Sequence, residues 1–219
     1  MSNPDSFIDE VNEELKRDRL FAAMRKYGWI AVVLVLVLVG GAAFNEWRKA
    51  QAQAAARAFG DQVVAALDTE DPAARVAALR GVTAQGDRQG ILNLLIAASD
   101  LAADDRDGTL AALAAVENDA TLPQSYRQIA ALKRVMIGGA DIPADQRQAT
   151  LQGLAAPGGT FRPLALEQLA LLTLEQGDRD GALQQAQALL QEPDLTDGLR
   201  NRVSQLIVLL GGAQPTDLG

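Results

Sequence analysis

Asp178-Arg179-Asp180-Gly181-Ala182-Leu183 answers Asp105-Arg106-Asp107-Gly108-Thr109-Leu110 at an offset of 73 residues. At the same offset Ala97 stands over Ala170, Leu122 over Leu195 and Arg127 over Arg200. Each six-residue stretch lies between segments with apolar residues at helical spacing, and the interval fits two helical hairpins of roughly 34 to 40 residues. The pair therefore predicts an all-α, internally repeated array. A hairpin of this size cannot bury its apolar face alone, so its neighbours must stack on it.

Glycine and proline punctuate the array at Gly86, Gly108, Pro123, Gly138-Gly139, Pro143, Pro157-Gly158-Gly159, Gly177, Pro193 and Gly211-Gly212. Between them, residues 73–83, 90–103, 124–137, 163–176 and 199–210 carry helical apolar spacing. Residues 166–193 resemble a tetratricopeptide repeat, with Leu166, Leu169 and Ala170 on the first helix, Gly177-Asp178 at the turn, and Ala182 and Leu189 on the second. Small residues at Ala170 and Ala182 let the two helices approach closely. The unit is divergent: Leu and Thr173 replace aromatic residues, and Pro193 closes it one residue early. Asp107 and Asp180 are expected to cap the helices that follow them, and Phe161 to pack between repeats.

The composition removes most catalytic chemistry. The 219 residues contain no Cys and no His, which excludes thiol nucleophiles, imidazole bases, disulfides and nearly every zinc pattern. The Asp-Arg-Asp-Gly turns invite a calcium-loop reading, but the register fails. Setting Gly108 or Gly181 on the loop glycine puts Ala103 or Gln176 at the first ligand position and Ala114 or Gln187 at the last. Acid pairs such as Asp104 with Asp105 have no nucleophile motif or phosphate loop beside them. The chain is expected to be no enzyme and to hold no cofactor or metal.

Residues 28–44, G-W-I-A-V-V-L-V-L-V-L-V-G-G-A-A-F, are uncharged and span about 25 Å as a helix, close to the lower limit for a bilayer core. Tyr27, Trp29, Phe44 and Trp47 sit at its ends, where amphipathic rings favour the headgroup region. Gly41 and Ala43 resemble the small residues before a signal-peptide cleavage point, but six acids in the 26 preceding residues favour an uncleaved anchor. Lys16, Arg17, Arg19, Arg25 and Lys26 precede the span, whereas Arg48, Lys49 and Arg57 follow it closely. The amino terminus is therefore expected in the cytoplasm and the rest outside it. Beyond Asn45 there are 15 basic and 22 acidic residues, a net charge of −7 that disfavours nucleic acid and anionic lipid as partners.

The expected organisation is a cytoplasmic amphipathic tail over 1–26, a transmembrane helix over 27–45 and a helical stalk over 46–71. A tetratricopeptide-like domain over 72–212 and a disordered tail over 213–219 complete it. In the tail, Ser6-Phe7-Ile8-Asp9 reads as a capping-box-like start with Val11 and Leu15 at helical spacing, and Glu13 and Glu14 pair with Arg17 as on a solvated helix. The stalk is Ala-rich, with Phe59, Val63, Val64 and Leu67 late in it, and either packs on the domain or self-associates as a homo-oligomer.

The layout resembles the bacterial inner-membrane proteins with a tetratricopeptide-like periplasmic domain, the family of the ancillary SecYEG translocon subunit. Ser6-Phe7-Ile8-Asp9-Glu10-Val11, residues 15–19, the span from Gly28 and the repeat with Leu169-Ala170 and Gly177-Asp178 carry the resemblance. It implies a single-pass protein whose periplasmic repeats meet translocon subunits, exported clients or periplasmic chaperones during protein translocation, with no catalytic residues. A structural scaffold for an envelope or cell-division complex would use the same surface.

Overall fold

A computed structural model describes the backbone of residues 4–193 and 195–213, and the side chains of these except at residues 4–24, 27, 28, 31 and 32. The expected start at Ser6, the contacts of Val11 and Leu15, the pairs of Arg17 and the ring of Tyr27 fall outside the described side chains, and residues 214–219 of the expected tail lie outside altogether. Among the described residues the fold is all-α: nine helices, α1 (Pro4–Leu67), α2 (Pro72–Arg80), α3 (Asp87–Ala102), α4 (Arg106–Asn118), α5 (Gln124–Gly138), α6 (Ala144–Leu154), α7 (Arg162–Glu175), α8 (Arg179–Leu189) and α9 (Asp197–Leu209), with a 3-10 turn at Gly139–Asp141. The chain divides between Ala58 and Phe59 into two compact units.

The first unit is the greater part of α1. Its apolar residues 33–39 are all exposed, from 45% at Val33 to 67% at Val37. Seven consecutive residues at 100° per residue cover every side of a helix, so this stretch is exposed all round among the described residues. Among the described residues no helix is long and apolar enough to cross a membrane; positions 27, 28, 31 and 32 of the expected span are among those whose side chains are not described.

The second unit is built by helices that pack on their sequence neighbours, and its core divides into four linked clusters. The first joins Val63 and Ala66 at the end of α1 to Leu79 of α2 and to Leu92 and Ile96 of α3. The second joins Ala97 of α3, Leu113 and Val116 of α4, and Ala130 of α5. The third joins Leu132 and Val135 of α5, Leu151 and Leu154 of α6, and Leu172 of α7. The last joins Ala170 of α7, Ala182, Ala186 and Leu189 of α8, and Val203 and Ile207 of α9. Helices α3, α5 and α7 thus each serve two clusters. A core of this kind is quasi-one-dimensional, each part stabilised by its immediate neighbours.

The helix starts follow ordinary capping chemistry. Asp71 accepts from the Ala74 amide at 2.7 Å with Pro72 at the first helical position. Asp105 accepts from the Gly108 amide and Asp178 from the Gly181 amide, both at 2.8 Å, with φ/ψ of −86°/82° and −85°/82°. The caps are therefore Asp105 and Asp178, two residues before the expected Asp107 and Asp180. A capping carboxylate must reach the amide of the third helical residue, and Asp107 and Asp180 already lie inside the first turn, where they face the positive end of the helix.

The repeat extends from α2 to α9. An offset of 73 carries α3, α4 and α5 onto α7, α8 and α9, and an offset of 72 carries α2 onto α6, placing Leu79 on Leu151 and Val82 on Leu154, all four buried. The turn before each cap is left-handed, with φ of 59° at Asp104 and 88° at the equivalent Gly177. Only glycine takes that conformation without steric cost. Asp104→Gly is accordingly expected to raise stability by about 0.5–1 kcal/mol, and Gly177→Ala to lower it by about 1 kcal/mol. Urea unfolding of the two variants measures both, and a loss of stability in Asp104→Gly would refute the equivalence of the turns.

Candidate functional site

The residues singled out in the tetratricopeptide-like unit divide into core and cleft. Ala170 and Ala182 have no exposed surface and Leu189 has 1%, all within the last cluster. Gly177 forms the left-handed turn. Leu166 and Leu169 are half-buried and line an open cleft between α6, α7 and α8. Phe161 is half-buried against the α5–α6–α7 cluster. In the first unit Trp29, Phe44 and Trp47 are exposed, and the rings of Phe44 and Trp47 lie 6.0 Å apart.

The repeat forms two four-helix blocks, α2–α5 and α6–α9, and two clefts of about 160 Å³ each open beside α6 and α7 of the second. One lies between α5, α6 and α7. Its floor is Val135, Leu151 and Leu172, and its rim carries Met136 and Leu171, the former 53% exposed. Arg147 closes one wall: its two terminal nitrogens each donate to a Glu175 oxygen at 2.7 Å, and its Nε donates to the Ile142 carbonyl at 3.0 Å. The Arg147 side chain is 8% exposed, and each of its three guanidinium nitrogens makes a hydrogen bond. The other cleft, between α6, α7 and α8, has Leu166, Leu169 and Leu172 at its base and Gln148, Gln152 and Gln185 around it, with Thr173 and Gln176. Gln185 donates to the Thr173 hydroxyl at 3.1 Å.

None of Arg147, Glu175, Met136 or Gln185 stands out in the sequence. Arg147 and Glu175 are 28 residues apart, a separation at which no local pattern signals an ion pair. A useful signal would have been Arg147 itself, a charge on the inward face of α6 beside Leu151 and Leu154.

Arginine–carboxylate pairs between sequence-distant elements recur across the unit. Arg80 meets Asp100, Arg134 meets Glu117, Arg162 meets Glu192 and Arg202 meets Glu167, with both carboxylate oxygens engaged in each. Planar guanidinium–carboxylate forks fix direction as well as distance, so they set how adjacent helices sit. No protein-family model matches the chain, and neither a curated protein nor a solved structure does.

The hydrogen bonds from Arg147 hold the Glu175 carboxyl below its usual range, and those from Arg162 do the same for Glu192. A carboxylate whose folded pKa is depressed stabilises the fold above the unfolded value and loses that contribution as pH falls through the folded one. The wild-type Tm is therefore expected to fall as pH drops below about 4.3. A Glu175→Gln, Glu192→Gln variant should begin lower at neutral pH and decline less steeply. Parallel thermal melts across the acid range measure this, and identical slopes would remove the two pairs as its source.

Proposed function

We propose that the chain is a membrane-anchored protein-interaction module of the bacterial inner membrane, with its helical array in the periplasm, acting as an ancillary translocon subunit that assists the handover of exported proteins to chaperones. The observation that carries the membrane reading is the all-round exposure of residues 33–39. Such a surface is unfavourable in water by about 25 cal/mol per Å² and is matched by lipid hydrocarbon. Trp29 on one side and Phe44 with Trp47 on the other supply aromatic ends, and the basic excess before the span supports a cytoplasmic amino terminus.

The interaction reading draws on the array. Stacked helical hairpins with apolar-floored clefts and adaptable rim side chains such as Met136 suit the binding of other polypeptides. The translocon role rests on the resemblance carried by residues 6–11, 15–19 and the repeat. An export-dependent reporter enzyme fused after the last residue is expected to be active, and a photo-crosslinking residue at Met136 to capture translocon subunits or exported chains in cells. A reporter active only when cytoplasmic would overturn the topology, and crosslinks to neither class would overturn the translocon role.

A further inference from the structure

The two copies of the four-helix block share a scaffold, yet they treat the cleft between their first three helices differently. In the first block an ion pair joins the equivalent positions. Arg80 of α2 donates through Nη2 to both oxygens of Asp100 on α3, at 3.1 and 3.2 Å, and Asp100 is 1% exposed. Val76, one turn earlier on α2, is 6% exposed, and Ala112 of α4 packs against the Leu79–Leu92 cluster. In the second block the equivalent positions are Gln148 for Val76, Gln152 for Arg80, Thr173 for Asp100 and Gln185 for Ala112. One buried apolar residue and both charges are gone, and a cleft of about 160 Å³ stands open.

We propose that this cleft between α6, α7 and α8 is a binding site for an uncharged, extended stretch of polypeptide that places an apolar side chain on Leu166, Leu169 and Leu172. The proposal rests on the reading of the array as a protein-binding surface and names the site and its ligand class. Primary amides each donate and accept, which matches the alternating N–H and C=O groups of an extended main chain. The lining carries no formal charge, although the chain as a whole has a net charge of −8. A charged ligand side chain entering it would lose water and find no counter-charge, a cost that selects for neutral segments.

The two blocks supply the test. The paired substitution Gln152→Arg with Thr173→Asp installs the first block's ion pair at the equivalent positions and should close the cleft without disturbing the helices. The full chain in mild detergent is titrated into short fluorescent peptides, one built of Ser, Gln, Leu and Val and others in which Lys or Glu replaces Ser, with anisotropy as the readout. The neutral peptide is expected to bind about tenfold more tightly than either charged version, and the paired variant to lose about tenfold in affinity for it. Gln185→Ala, on the exposed side of α8, should weaken the same peptide and covers the case in which the paired variant does not fold.

Equal affinity for neutral and charged peptides, or no binding of the neutral one, would overturn the proposal. So would unchanged affinity in the folded variants, and in that case crosslinks from Met136 to exported chains would leave the interaction reading standing. Conversely, variant-sensitive peptide binding without such crosslinks would sustain the site and remove the translocon role.

Discussion

One dipeptide at the turn between α3 and α4, and its copy between α7 and α8, caps two helices at once, and the geometry of the array follows from it. Asp105 closes the start of its own helix, and the next residue, Arg106, reaches the end of the neighbouring one, donating to the Gly138 carbonyl of α5 at 2.9 Å. Arg179 does the same at α9, donating to the carbonyls of Leu210 and Leu209 at 3.1 and 2.6 Å. Terminal carbonyls without helical partners are satisfied, and a cation stands at the negative end of a helix dipole. Because the start of one antiparallel helix is tied to the end of the next, the pair cannot slide. Gly108 and Gly181 complete the device, since a Cβ there would fall 2.8 or 2.7 Å from the capping Asp Cγ.

This interaction is also why the fold was legible. The Asp-Arg-Asp-Gly pair gives the period, and the period forces a stacked helical architecture. The cap lies two residues before the acid that the spacing favours, because Asp104, Asp105 and Asp107, grouped around one arginine, look equally able to cap; only backbone geometry separates them. Residues 73–83 overran α2, which stops at Arg80 because Gly81 takes the C-cap. The segment from 90 began late, because α3 starts at Asp87 behind a glycine that offers no side-chain cap. Helix α6 was hidden by Arg147, whose charge interrupts the apolar period while its stem is buried.

The period also relates the end of α1 and helix α9 to α5. The last turns of α1 do for the first block what α5 does for the second: Val63 and Ala66 pack on Leu79 and Leu92, as Leu132 and Val135 pack on Leu151 and Leu154. On α9 the equivalents of Ala131 and Leu132 are Ser204 and Gln205. The face that α5 turns to its neighbours is thus more polar on α9. The change is incomplete, for Val208 and Leu209 remain 48% and 68% exposed.

What the sequence could not display is where the two copies part company. Arg75 and Arg147 are equivalent and do the same scaffold work, each donating through Nε to a carbonyl in the turn before its own helix, Thr69 at 2.9 Å and Ile142 at 3.0 Å. In the second block alone the guanidinium also grips a carboxylate, because α7 carries Glu175 where α3 has Ala102. Self-comparison finds the positions that agree, and those are caps, turns and core. A surface is free to change between copies once the scaffold holds, and the cleft proposed as a binding site is lined by positions that disagree. Recognising it requires knowing which disagreements face the same cleft, and packing, not sequence spacing, decides that.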